Sequence, residues 1–393
     1  MLKLVITRWK QGILTMLTGD DRELEFLYET TGEPVVGDII IARVKDIVKN
    51  INAAFVEIAP GVTCYLSLED AVRPVYINCI HKNNRKLVQG DEILVQIIKN
   101  RMKTKDAVVT TNLSFTGRYV VLTTGNQRLG VSMKLEDERR HQLKQAMKDA
   151  VPEHTGVVIR TNAADASINE ILNELHTMEE RKNQIIETAK HRTCFSVMQH
   201  APEKYIQLLR DLKSDRIEKI ITDDQMIFDS IQEYLSTNTE TVSDVPLILY
   251  QDSMQPLYKL YSIETRLENA MSKRVWLKSG GYLIIEPTEA LTVIDVNTGK
   301  YAGKKNSQET FMKINTEAAE EIAHQLRLRN ISGIIIVDFI NMESKEYQKA
   351  LMTHLADLVK KDRMKTDVLD MTGLHLVEMT RKKVDRSIYE FFV

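Results

Sequence analysis

Two short apolar runs, each carrying an aspartate at its end, constrain this 393-residue chain more than any other feature. The first is Leu291-Thr292-Val293-Ile294-Asp295-Val296-Asn297-Thr298-Gly299, and the second is Gly333-Ile334-Ile335-Ile336-Val337-Asp338-Phe339-Ile340. Short runs rich in β-branched residues read as buried strands. Between them, from about Glu309 to Leu328, Phe311, Ile314, Ala318, Ile322 and Leu326 recur at helical spacing. A carboxylate closing a buried strand is costly unless something offsets its charge. A divalent cation does so, and Mg2+ is typically held by one or two carboxylates plus water and substrate phosphate. Taken singly, Asp295 is better read as a cap on the Asn297-Thr298-Gly299 turn, and Asp338 as the partner of an arginine. The pair, in two similar strands flanking one helix, points instead to metal-assisted phosphate chemistry.

The length allows two to four domains. Hydrophobic residues make up 43% and charged residues 27%, the balance of a globular protein. No apolar run reaches the ~20 residues of a membrane span, and Met1-Leu2-Lys3-Leu4-Val5-Ile6-Thr7-Arg8 reads as a strand rather than a signal peptide. Cytoplasmic residence is the default expectation. Cys64, Cys79 and Cys194 form no C-x-x-C pair, so neither a zinc ribbon nor a disulfide framework is indicated. A net charge of −2 confines any nucleic-acid contact to local basic patches.

Residues 1–34 read as a β-meander too small to fold alone, belonging to a domain completed later. Over 35–110, strands are expected at 38–44, 53–58, 64–68 and 92–98, which suggests a small barrel. A five-stranded barrel of the OB type binds single-stranded nucleic acid on one face. Phe55 and Tyr65 would be stacking platforms there, although an isolated aromatic is more often core. The run Lys99-Asn100-Arg101-Met102-Lys103-Thr104-Lys105 adds a cationic rim or a solvated hairpin loop.

Residues 111–205 mix strands at 117–122 and 156–161 with a charged helix at 136–149 and a longer helix at about 168–192. Ile171, Leu172, Leu175, Met178, Ile185 and Ile186 form the apolar stripe of the longer helix. Arg160 ends an apolar strand beside Thr161, where its fork suits a phosphate; an arginine–carboxylate pair explains it equally well. Residues 206–270 carry a strand at 219–222 and helices at 224–235 and 262–272. Glu317, Glu320 and Glu321 fall off the apolar stripe and are expected to be solvated, with His324 on the surface. The chain has no P-loop and no Rossmann fingerprint. Ser279-Gly280-Gly281-Tyr282 reads as a hairpin turn. Without an obvious nucleophile, catalysis would rest on a metal-activated water.

At this point the motifs carry a resemblance. Thr288-Glu289-Ala290-Leu291-Thr292-Val293-Ile294-Asp295-Val296-Asn297-Thr298-Gly299, Asn315-Thr316-Glu317-Ala318-Ala319, Ile322-Ala323-His324-Gln325-Leu326-Arg327-Leu328-Arg329 and Val337-Asp338-Phe339-Ile340-Asn341-Met342 resemble the ribonuclease E/G family. The likeness is strongest over roughly 245–386 and extends more weakly along the whole chain. It implies an α+β multidomain fold, with an S1-type OB barrel (35–110) inserted in a split RNase H-like domain (1–34 and 206–270). A 5′-sensor region (111–205) and a DNase I-like α/β catalytic domain (271–393) complete it.

The implied activity is Mg2+-dependent endonucleolytic cleavage of single-stranded, A/U-rich RNA in RNA processing and decay. It leaves 3′-hydroxyl and 5′-phosphate ends, prefers RNA with a 5′-monophosphate, and allows Mn2+ as a substitute ion. Asp295 and Asp338 match the metal ligands and Asn297 the accompanying asparagine, with Glu289 as an outer carboxylate. Phe55, Tyr65 and Lys105 match RNA-contacting positions of the barrel. Gly117, Val121, Arg160, Thr161 and Arg381 match the 5′-phosphate pocket. Where the family carries a further arginine, this chain has Val131-Ser132-Met133-Lys134, so monophosphate sensing is expected to be weaker. The family's C-P-x-C zinc-link motif does not follow Ser387-Ile388-Tyr389-Glu390-Phe391-Phe392-Val393. A zinc-linked dimer, and zinc itself, are therefore not expected, while another homo-oligomer stays open. The alternatives are a non-catalytic RNA-binding protein of the same fold and a metal-dependent phosphodiesterase acting on DNA or a small molecule. Buried carboxylates argue against the first, and the barrel against a small substrate.

Overall fold

The computed structural model describes all residues except 20–21, 31–33, 72, 79–85, 102–105, 126–127, 213–215, 238–244, 300–306 and 393. The chain forms two compact units, Met1–Thr31 with Ser214–Val393, and Gly32–Lys213.

In the first unit, Leu2–Trp9 is the middle strand of a five-stranded sheet. Gly12–Thr18 and Glu23–Thr30 follow it as an antiparallel meander on one side. On the other side Ile217–Thr222 pairs with it in parallel, and Leu247–Leu249 pairs in parallel beyond that. Leu4 to Thr7 are buried without alternation, the pattern of a strand covered on both faces.

The same unit holds a six-stranded mixed sheet in the order Arg274–Trp276, Tyr282–Pro287, Leu291–Asn297, Gly333–Asp338, Leu376–Arg381, Thr366–Met371. The two aspartate strands are neighbours and run parallel, which requires the crossover supplied by helix Ser307–Leu328. Ile314, Ala318, Ile322 and Leu326 of that helix are buried against Ile294, Val296, Ile335 and Val337. The Lys345–Val359 helix adds Leu351, Leu355 and Val359 to the same core, starting at the Ser344 cap. The long helix stops where Asn330 turns left-handed (φ 50°). Ile331 N–H then donates to Leu326 O and Asn330 N–H to Arg327 O, the two bonds of a Schellman end. That stop drops Ile331 into the core and aims the next strand. Ser279–Gly281 is a hairpin turn between antiparallel strands, as expected.

In the second unit, Ile39–Val48, Ala53–Ala59, Val62–Ser67, Ala107–Thr110 and Glu92–Lys99 pair in that order, and Glu92–Lys99 pairs back to Ile39–Val48. The result is a closed five-stranded, OB-like barrel. Its interior takes every second residue, including Ala54, Val56, Cys64, Leu66 and Val95. The closing strand, Ala-Val-Val-Thr, follows the basic run and is too short to stand out in the sequence. A separate four-stranded sheet has the order Ser114–Thr116, Val120–Thr123, Gly156–Ile159, Leu129–Val131. Helix Ile168–Ala189 packs its Ile171, Leu175 and Ile185 into that sheet's core. Its start is fixed by a capping box between Ser167 and Glu170.

Candidate active site

The alternation of strand Leu291–Asn297 sends Ile294 and Val296 to the helix-covered face and Asp295 and Asn297 to the other. Strand Gly333–Asp338 does the same, with Val337 buried and Asp338 exposed on the open face. Register places Asp295 directly beside Asp338. Adjacent strands lie ~4.8 Å apart, so two carboxylates share one patch at the C-terminal ends of two parallel strands. Ligands favour that edge of an α/β sheet.

Partial desolvation, then the neighbouring Asp295 charge, push the Asp338 carboxyl above the usual carboxylate range. Asn297 Nδ2 donates to Asp295 Oδ2 at 2.7 Å and fixes its orientation. Two oxygen donors with like charge, on a face open enough to leave positions for water and phosphate, fit a hard divalent cation of the magnesium type. Among the described residues no group of three or more His, Cys, Asp or Glu side chains is arranged to hold a metal. Asp295 and Asp338 would leave the remaining positions of such an ion to water and substrate.

The surroundings hold this patch in place. Gly281 lies so close to strand Leu291–Asn297 that a Cβ there would stand 2.8 Å from Asn297 O. Gly299 (φ 60°) leaves the strand in the left-handed region, where a Cβ would meet Gly280 O at 2.2 Å. Asn315, fully buried, receives Ile340 N–H on its Oδ1 (3.0 Å) and donates from Nδ2 to Ile340 O (2.8 Å). It clamps the chain two residues past Asp338. The resemblance motif contains Asn315 but gives it no role; its signal is an amide at a stripe position of an apolar helix face.

Several expected residues sit elsewhere. Glu289 lies in the exposed turn before Leu291, six residues and roughly 20 Å of extended strand from Asp295, so it is no outer carboxylate of the pair. His324 is not on the surface: its ring bonds Glu321 (3.0 Å) and Glu23 O (2.6 Å) and its side chain is 9% exposed. Glu321 is not solvated either, taking bonds from Gln325 and Arg22 besides. Arg381 is 3% exposed, and Asp362, Asn330 Oδ1 and Ile331 O engage its guanidinium. That arrangement makes it a buried strut of the first unit, not a presented phosphate reader.

In the second unit, Arg160 and Gly117 do meet: Arg160 Nη1 donates to Gly117 O at 2.5 Å. A Cβ on Gly117 would meet the ends of the Met178 and Glu174 side chains, which would have to shift to admit it. The other fork of Arg160 is held by Asp211 at 2.7 Å. Thr161 Oγ1 bonds Ser132 Oγ at 2.8 Å, Val121 pairs with Val158 in the sheet, and Met133 is largely exposed. On the barrel, Phe55 and Tyr65 are directly opposed on the outer, half-exposed face, with centroids 6.2 Å apart edge to face. They are not core, because Ala54, Val56, Cys64 and Leu66 fill that role. Lys105 lies outside the described residues.

Comparison with known proteins gives the family. The Ribonuclease E/G family model matches residues 114–384. Ribonuclease G of Haemophilus influenzae is 36% identical over 365 residues, covering 90% of this chain and 74% of that protein. Ribonuclease G of Escherichia coli is 32% identical over 366 residues, with the same coverage. Ribonuclease E of Nostoc sp. is 30% identical over 395 residues, covering 100% of this chain and 57% of its own length. A match over most of the sequence, with the aspartate pair inside it, leads to one conclusion: the chain belongs to the ribonuclease E/G family.

Proposed function

We propose that this chain is an Mg2+-dependent endoribonuclease that hydrolyses phosphodiesters of single-stranded, A/U-rich RNA to 3′-hydroxyl and 5′-phosphate ends, in cytoplasmic RNA processing and decay. The observation that carries the reading is the register pairing of Asp295 with Asp338, with Asn297 bonded to the first. Mg2+, or Mn2+ in its place, would supply a water nucleophile at neutral pH and offset charge at the phosphate. Asp295 and Asp338 are the residues that would hold it. Asn297 keeps the Asp295 carboxylate from rotating away, and the open face leaves room for an RNA backbone. In this reading residues 271–393 cut and the barrel of 35–110 holds the strand through Phe55, Tyr65 and Lys105. Residues 111–205 read the 5′ end through Gly117, Val121, Arg160 and Thr161. A 5′-phosphate would displace Asp211 from Arg160.

The test is cleavage of a 5′-monophosphorylated A/U-rich RNA with Mg2+, with EDTA, and by Asp338→Asn. Internal cuts requiring both the ion and Asp338 are expected, with the variant slower by about 100-fold or more. RNA that is bound in a salt-sensitive way but never cut would leave a binding protein of the same fold.

A further inference from the structure

The three-residue edge strand Arg274–Trp276 points its middle residue, Val275, at the core and turns Arg274 and Trp276 outward. Trp276 is 62% exposed, unusual for the largest apolar side chain. It packs edge to face on Tyr282 of the next strand, with centroids 5.3 Å apart. The Arg274 guanidinium lies 4.7 Å from the Tyr282 ring centroid and 5.7 Å from that of Trp276. Among the described residues no carboxylate comes within ion-pair distance of Arg274. A charged residue alone would guard a sheet edge against unwanted pairing; an exposed tryptophan beside it does the opposite.

Register ties this patch to the aspartates. Trp276 is opposite Tyr282, and Tyr282 is opposite Asn297. Arg274 is opposite Ile284, which is opposite Asp295. Directly opposed residues share a face, so ring pair, guanidinium and carboxylates lie on one open surface. Trp276 stands two strands, about 10 Å, from Asn297. A single-stranded chain crosses that span within a few nucleotides.

We propose that Trp276, Tyr282 and Arg274 form a stacking platform for a nucleobase of single-stranded RNA flanking the bond to be cut. The assignment of the occupant rests on the endoribonuclease reading above. Aromatic rings take any base, and Arg274, which no carboxylate among the described residues pairs, suits the adjoining phosphate.

Trp9 and Trp276 are the only tryptophans, so intrinsic fluorescence of the full chain tests the proposal directly. On titration with an A/U-rich RNA oligonucleotide in EDTA, quenching is expected in the wild-type chain and absent in Trp276→Phe. In Mg2+, Trp276→Ala is expected to raise KM by about 5- to 150-fold, and Trp276→Phe to restore most of it. A single abasic nucleotide near the cut should raise the wild-type KM similarly and leave Trp276→Ala unaffected. Saturation without quenching, or a wild-type KM in Trp276→Ala, would overturn the platform even if cleavage is normal. Quenching without any cleavage would keep the platform and sink the endonuclease reading instead.

Discussion

Asn315 does for Asp338 what Asn297 does for Asp295: each amide fixes a main chain or a carboxylate that would otherwise be free to turn. Replacing Asn315 with alanine leaves the half-buried Ile340 N–H and C=O without this partner. A loss of about 2 kcal/mol or more in chemical denaturation is expected, together with slower cleavage. Arg160 invites a different measurement. If its fork receives the 5′-phosphate, Arg160→Ala narrows the rate gap between 5′-monophosphate and 5′-hydroxyl RNA; an unchanged gap would leave it as the partner of Asp211 and Gly117 alone. The aspartate pair was legible in the sequence because a carboxylate ending a β-branched run is chemically conspicuous. His324, Glu321 and Arg381 were misplaced because polarity along a helix or strand does not reveal which neighbours are also polar. Each was expected to face water or phosphate, and each instead faces a buried partner.

At the scale of elements, five helices were read to within a few residues, since their apolar stripes report the sheet beneath, while Lys204–Asp211 and Lys345–Val359 were not singled out. Pairing order was less accessible. Nothing in Leu376–Arg381 says that it separates Gly333–Asp338 from Thr366–Met371, for its alternation fits any half-covered strand. The long helix is also tied laterally to the five-stranded sheet of its own unit. Glu25, 4% exposed, receives Arg327 Nε at 3.1 Å and a second bond from Arg363. Glu25→Ala leaves two arginines facing an empty acceptor site, and a loss of about 3 kcal/mol is expected in a denaturant titration. Glu321 acts at the neighbouring turn of the helix. Burial opposes its charge, but hydrogen bonds from His324 and Gln325 outweigh it and hold the carboxyl below its ordinary range. A depressed carboxyl stabilises the fold above its unfolded pKa, and that contribution fades as pH falls through the folded one. Thermal melts should show Glu321→Gln less stable than wild type near pH 7, with the difference closing below about pH 4. A gap that persists in acid would mean that packing, not charge, accounts for Glu321.

For the molecule as a whole, a net charge of −2 leaves little long-range attraction for RNA, so binding has to be local. In the proposed function the outward pair Phe55 and Tyr65 would supply contact that salt does not screen. Tyr65→Ala should weaken RNA binding by about 1–3 kcal/mol while leaving the salt slope nearly unchanged in a titration series. Family membership was legible because its motifs cluster on the two aspartate strands and the helix joining them. In the residues themselves the interruption of the first unit by the second showed only as an orphan meander; the split domain came from the family resemblance. That interruption has a consequence for biosynthesis. The parallel partner of Leu2–Trp9 lies more than 200 residues downstream, at Ile217–Thr222. At about 5–20 residues per second, a ribosome needs roughly 10–40 s to deliver it. For that interval the nascent chain carries a meander whose first strand has an edge without its parallel partner. Protection of that edge by a chaperone, or a slowed aggregation-prone phase without one, is what the topology asks of the cell that makes it.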